Sequence, residues 1–339
     1  VDLNAGNVKV LETNLQASKD RFQVGDLTRT DVAQSEARLS LARSNLQRAQ
    51  ADLDNSRQTY LEVIGSFPDA LEAPPALPGL PALSDEAVDI AVANNPDLAA
   101  ARQAARAADY DIGIARAGRM PRLQAFASGD YTDYQGTLAG GAAGVKQIDK
   151  TATVGLRAQI PIFQGGEPGA RVRQAQARRS QAIERQTAAE RAVIADARVA
   201  FSRYQAALGL IDSSRDAVAA NELALEGVRA EQSVGTRNVL DVLNAEQELI
   251  NSRSALVTAK RDAYVAGFAL LAAMGRAQAR DLGLDGGSLY DPVANYKRVN
   301  SRIWDWDEDP KPKSVATTTK GQASLSAVPP YRPVATPEK

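Results

Sequence analysis

Apolar side chains recur along most of this chain at intervals of three and four residues, the spacing that keeps them on one face of an α-helix. From Val32, alternate steps of three and four reach Ser35, Leu39, Ala42, Leu46, Ala49, Leu53, Ser56, Tyr60 and Val63. Eight of these ten positions are apolar, and a heptad held that long implies a coiled-coil contact. The spacing returns at Ala200, Tyr204, Ala207, Ile211, Ser214, Val218, Asn221, Leu225 and Val228, and again at Val242, Ala245, Leu249, Ser252, Leu256, Ala259, Ala263, Ala266, Leu270 and Ala273. Alanine recurs through the last seam, so neighbouring helices can approach closely. That favours a sheet-like or barrel array of helices over a thick-cored bundle.

The pattern places helices over residues 1–22 and 29–65, joined at Val24-Gly25-Asp26. Thr28 or Thr30 is available as the N-cap of the second, with Asp31 in its first turn. From Ala170 to Gln232 there is almost no breaker; at about 1.5 Å per residue this helix spans roughly 95 Å and needs partners along its length. A last helix covers 237–275. Ala73 to Leu83 is a proline-rich, extended connector. A short helix follows at 84–94, and Asn94-Asn95-Pro96 opens another at 97–118 that ends before Pro121. The helices at 97–118 and 237–275 together come within one turn of the length of the long one, so stacked end to end they would match it as one rod.

Residues 121–135 and 150–163 change period. Val154, Leu156, Ala158, Ile160 and Ile162 alternate with Thr153, Gly155, Arg157 and Gln159, the mark of a strand apolar on one face and polar on the other. Gly136 to Gly144 supplies the loop between the two strands. The expected organisation is therefore 1–72, the end of a first helical repeat; 73–95, linker and short helix; 96–120, helix; 121–164, β-hairpin; 165–284, long helices of a second repeat; and 285–339, a disordered tail. The fold class is mostly α with one β-hairpin.

The repeat is explicit. Val24 to Val32 aligns with Val234 to Val242, and the match continues at Glu36/Glu246, Leu39/Leu249, Arg43/Arg253, Ser44/Ser254 and Leu46/Leu256, at a constant offset of 210 in residue number. Because 210 is a multiple of seven, the two heptad seams share one phase and present equivalent faces. Projected back by the same offset, Pro96 falls well upstream of Val1, so a first β-hairpin is expected there.

Composition narrows the chemistry. Lys and Arg number 40 against 41 Asp and Glu, which leaves no basic excess for nucleic acid. Cysteine and histidine are both absent, which removes thiolate nucleophiles, His-based triads and the usual zinc and haem ligand sets. The longest apolar stretch, Ala263 to Gly275, is too short for a membrane helix, so any crossing of a bilayer falls to the strands. Each strand exceeds the roughly 9–11 residues a tilted membrane strand needs.

Residues 21–46, Asn94-Asn95-Pro96, Ile160 to Gly166 and Ser233 to Ala245 together resemble the TolC family of Gram-negative outer-membrane efflux and type I secretion ducts. The resemblance covers residues 1–285 in the family's order. It implies a homotrimer in which an α-helical barrel in the periplasm carries a transmembrane β-barrel, the two strands here being half of a protomer's four. It also implies a periplasmic adaptor (membrane fusion) protein, an inner-membrane ABC or RND transporter and outer-membrane lipid as partners, with no cofactor, metal, nucleic acid or catalytic site. The family closes its tunnel near the Val-Gly turns through inter-helix polar links and a ring of aspartates. By residue match Asp31, with Thr30 beside it, and Arg237 are link partners, and Asp241 lines the constriction. Gln232 stands where a link tyrosine is expected, and Asn244 replaces a second ring aspartate. Three converging Asp241 carboxylates would repel one another and draw cations.

Plainer readings exist. Asp31 and Asp241 also suit first-turn residues that satisfy the helix dipole. Arg171, Arg173, Arg178 and Arg179 suit a solvated helix face, and Trp304 to Asp307 an unstructured linker. A non-channel adaptor or scaffold would explain the heptads but not the amphipathic strands.

Overall fold

The computed structural model describes residues 1–68, 71–135, 137–283 and 292–302, together with 304, 308, 309, 318 and 319. Two compact units share the chain: one holds residues 1–81, 200–272 and 277–339, the other 82–199 and 273–276.

In the first unit, α1 (Asp2–Gln23) and α2 (Arg29–Ile64) form an antiparallel hairpin. The end of α5 (Glu167–Ser233) and α6 (Val239–Ala273) form the second. All ten seam positions of α6 and all nine of α5 are buried or half-buried, as a coiled-coil seam requires. On α2 the seam is buried at Ser35, Leu39 and Ala42 and becomes exposed at Ser56 and Val63. Leu11, Leu39, Ala42 and Leu243 make the core in which the two hairpins meet, with Val8, Leu15, Val239 and Leu240 packed around them.

The second unit contains α3 (Ser84–Asn94), α4 (Pro96–Ala117), β1 (Arg122–Asp133), β2 (Ile148–Gln159) and the first half of α5. Ala91 and Leu98 pack with Val193 and Ala197, flanked by Val88 and Val92. Asn95 organises one end of this unit. Its Oδ1 accepts from the backbone N–H of Asp97 at 2.9 Å and of Leu98 at 3.3 Å, which caps α4. Its Nδ2 donates to the carbonyl of Ala273 at 3.1 Å, which ends α6. The start of α4 and the end of α6 therefore meet, although α4 with 22 residues and α6 with 35 fall short together of the 67 in α5.

That shortfall against the expected match has local causes. Helix α5 begins at Glu167, ahead of the expected Ala170, because Pro168 and Gly169 fall in the first turn, where a missing N–H costs no hydrogen bond. Helix α6 begins only at Val239, since Arg237 and Asn238 are used by the turn. The strands are also shorter than expected: pairing stops at Gln159, and Pro161 lacks the N–H to extend it. In the tail, where disorder was expected, α7 (Pro292–Val299) forms. Proline opens it, Lys297 and Arg298 lie in its last turn, and Arg298 also binds Asp309 at 2.6 Å. Residues 284–291, Asp305 to Asp307 and most of the remaining tail lie outside the described residues.

Candidate functional site

Both helical hairpins reverse through the same device. Gly25 and Gly235 take φ of +86° and +82°, values open to glycine at little cost. The N–H of Asp26 reaches the carbonyl of Arg21 at 2.9 Å and that of Gly25 reaches Phe22 at 3.1 Å. In the second turn Thr236 reaches Glu231 and Gly235 reaches Gln232, both at 3.1 Å. This doubly bonded ending satisfies the last carbonyls of each helix.

The next helix then starts with a reciprocal cap. Asp31 N–H donates to Thr28 Oγ1 at 3.3 Å while Thr28 N–H donates to Asp31 Oδ2 at 2.9 Å. In the repeat, Asp241 N–H donates to Asn238 Oδ1 at 2.9 Å and Asn238 N–H to Asp241 Oδ2 at 3.3 Å. Thr28, not Thr30, is therefore the N-cap, and Asp31 and Asp241 both fill the third position of a capping box. Thr30 is exposed in the first turn of α2.

The Thr28 hydroxyl and amide, both bonded to the Asp31 carboxylate, hold its pKa below the ordinary value. A depressed folded-state pKa means this cap stabilises the turn above the unfolded value of 3.8 and is lost as pH falls through the lower, folded one. Thr28→Ala removes about 1 kcal/mol of capping. Hydrogen exchange at the Asp31 amide is expected to quicken about fivefold and to lose most of its acid sensitivity below the carboxylate range; unchanged exchange would show that the cap is idle.

Within the chain, Asp31 and Arg237 do not form an ion pair among the described residues. Arg237 Nε is held by Glu231 Oε2 at 2.7 Å, and Glu231, with Asp241 adding its field, raises the guanidinium pKa further. Gln232 is half-buried at the end of α5. Asn244 Oδ1 accepts from Arg38 Nη2 at 2.7 Å, a link between α2 and α6.

A residue that sequence reasoning left as a mere repeat match proves central. Glu246 is 5% exposed, and its carboxylate accepts from Asn14 Nδ2 of α1 at 2.9 Å and from Arg229 Nη2 of α5 at 2.8 Å. Its counterpart Glu36 binds Lys19 at 3.1 Å, and Lys19 is the repeat counterpart of Arg229. The pairs Glu12–Arg43 at 2.8 Å and Glu222–Arg253 at 2.7 Å obey the same offset. The charge spacing was a usable signal, and the burial of one member was not.

In the second unit, the β1–β2 register pairs like with like over most of its length, whereas at the loop end Tyr131 faces Lys150 and Asp133 faces Ile148. Leu123 faces Ala158, Ala125 faces Leu156 and Ala127 faces Val154, all on one side. Gln124 faces Arg157, Ser128 faces Thr153 and Asp130 faces Thr151 on the other. There too Phe126 lies over Gly155, with the Arg157 guanidinium 5.4 Å from the ring centre. The apolar side is open: Leu123, Val154 and Leu156 are 71%, 83% and 73% exposed. No helix among the described residues is long and apolar enough to cross a membrane.

Residues 87–276 match the family model described as outer membrane efflux protein. The chain belongs to this family. The matched span takes in α4, the hairpin, α5 and α6. Among relatives, the outer membrane efflux protein BepC of Brucella suis biovar 1 (strain 1330) is 36% identical over 300 residues, covering 88% of this chain and 64% of BepC. The outer membrane protein TolC of Escherichia coli (strain K12) is 30% identical over 288 residues, covering 83% and 58%. The chain thus spans under two thirds of either relative. In fold, the solved outer membrane protein VceC of Vibrio cholerae superposes with a TM-score of 0.63 at 23% identity, over 81% of this chain and 65% of VceC. Long paired helices carrying a short β-hairpin are thus the fold of this outer membrane efflux protein as well.

Proposed function

We propose that the full-length protein is the outer-membrane exit duct of a tripartite efflux or type I secretion system. It works as a homotrimer without catalytic chemistry, its helices forming a periplasmic tunnel and its strands a barrel in the Gram-negative outer membrane. A periplasmic adaptor and an inner-membrane ABC or RND transporter deliver the cargo.

One observation carries this reading over a scaffold: a hairpin paired along the whole of both strands, whose apolar face is uncovered while the other face is polar. Such a face needs lipid, and its polar reverse suits water. Family membership and the names of the relatives support it. The gate is proposed at the two turns: Asp241 from each copy lines the constriction, and Arg237 exchanges Glu231 for Asp31 as the link closes, with Thr30, Gln232 and Asn244 beside it.

Single-channel recording in a planar bilayer tests both levels. The full-length protein is expected to form discrete ion-conducting pores blocked by divalent cations. Asp241→Asn should weaken that block by about tenfold, since three charges leave one cross-section. A protein that never conducts would refute the duct, whereas conduction with undiminished block would remove Asp241 from the constriction.

A further inference from the structure

The arginines at the start of α5 fall on two sides of that helix. Arg171, Gln174 and Arg178 line a cavity together with Arg122 and Gln159, which belong to the polar side of the hairpin. Arg173 stands two residues from Arg171, and at about 100° per residue it points to the opposite side of α5. Gly169 lies on that side as well. A methyl group at Gly169 would sit 3.5 Å from Arg173 Nη1 and 3.9 Å from Arg119 Nη2, so guanidinium groups from α5 and from the α4–β1 turn converge over one bare glycine. Two like charges held so close repel each other. The nearby acids are engaged elsewhere, Glu167 by Arg171 and Asp109 by Arg179. Neither Arg119 nor Arg173 has a carboxylate partner among the described residues.

This pair borders the apolar side of the hairpin at its helical end. Past Gln159 the alternation of Leu156 and Ala158 carries on through Ile160 and Ile162, and both are exposed, as is Phe163. At the loop end the same side closes with Tyr131 and Lys150, whose Nζ lies 5.4 Å from the ring centre. An apolar band with cations at both ends is the layout of a membrane strand set between two layers of charged headgroups.

We infer that Arg119 and Arg173 clasp the phosphate of an anionic phospholipid, one whose headgroup carries a net negative charge, at the periplasmic face of the outer membrane. Each guanidinium donates to an unesterified phosphate oxygen, a charge-assisted bond of about 2.8 Å. The positive end of α5 adds its field. The acyl chains lie along Leu123, Ile160 and Ile162. A free phosphate would gain the polar contacts but not the apolar ones, and this selects a lipid as the occupant. The inference rests on the membrane reading of the hairpin and deepens it by naming the lipid class and its anchor.

Native mass spectrometry of the full-length protein, extracted in detergent and supplied with phosphatidylglycerol or zwitterionic phosphatidylcholine, reads the lipid retained. The wild type is expected to keep phosphatidylglycerol in preference. Arg119→Gln combined with Arg173→Gln should bind it roughly tenfold more weakly, with phosphatidylcholine unchanged. Arg178→Gln, which removes a charge from the cavity side, should leave the preference intact, and inorganic phosphate should not displace the lipid. Equal retention of the two lipids by the wild type, undiminished binding in the double variant, or an equal loss in Arg178→Gln overturns the paired site. Displacement by inorganic phosphate overturns the lipid as its occupant. Flotation with phosphatidylcholine vesicles separates these failures from failure of the membrane reading. A protein that floats but shows no preference loses only the lipid site, whereas one that stays in the aqueous fraction loses both.

Discussion

Gly275→Ala is expected to be among the most damaging single-methyl changes in the second unit. A Cβ there would sit 2.5 Å from the carbonyl oxygen of Asn94, 2.7 Å from its carbon and 2.9 Å from Cα of Asn95. All three are backbone atoms, so no side chain can swing away. The position also holds φ at +72°, which costs an L-residue about 1–2 kcal/mol before any clash. Overpacking adds about 1–3 kcal/mol. Relief would require the end of α6 to withdraw from the start of α4, which breaks the Asn95–Ala273 hydrogen bond and uncovers the fully buried Met274. The expected total is about 3 kcal/mol. Gly25→Ala is the control, since φ is +86° and nothing lies within 4 Å; strain alone predicts about 1 kcal/mol. Thermal loss of helical circular dichroism in detergent measures both, and equal shifts would mean that the Asn94 contact carries no weight.

What could be read from the residues alone follows from how local each rule is. The heptad seams of α5 and α6 held at every position because periodicity is decided within one helix. The turns were legible twice over, since Val24 to Val32 and Val234 to Val242 repeat both the glycine and the cap. Strand faces were legible from the alternation at Val154, Leu156 and Ala158, but not the strand's end, which Pro161 decides by withholding one donor. Asp31 and Asp241 were given a gate role by resemblance, and their geometry adds the plainer capping role beneath it. The two are compatible: the cap is made by one carboxylate oxygen of Asp241, which leaves the other for ions.

The contacts between hairpins were not legible. Arg38 meets Asn244 and Asn14 meets Glu246 across 206 and 232 residues, and no periodicity within either helix sets that register. Equivalent residues also acquire unequal burial in this way.

That inequality sets the second large effect. Arg229 and Lys19 are equivalent bases bound to equivalent acids, yet the side chain of Glu246 is 6% exposed and that of Glu36 is 53%. Lys19→Ala dissolves a surface pair worth about 0–1 kcal/mol. Arg229→Ala leaves a carboxylate enclosed by α1 and α6 with Asn14 as its remaining donor, and an incompletely compensated buried charge is costly. Because Arg229 itself is 53% exposed, water can take part of its place, so the expected loss is about 1–3 kcal/mol and not the larger value of a fully enclosed pair. Glu246→Gln should cost less than Arg229→Ala. It keeps an acceptor for Asn14, removes the buried charge, and strands only a guanidinium that water already reaches. The order Arg229→Ala, then Glu246→Gln, then Lys19→Ala, read from urea midpoints of the detergent-extracted protein, identifies the desolvated carboxylate as the cause. If Lys19→Ala matched Arg229→Ala, the two pairs would be energetically alike, and the packing of α1 over Glu246 could not be what distinguishes them.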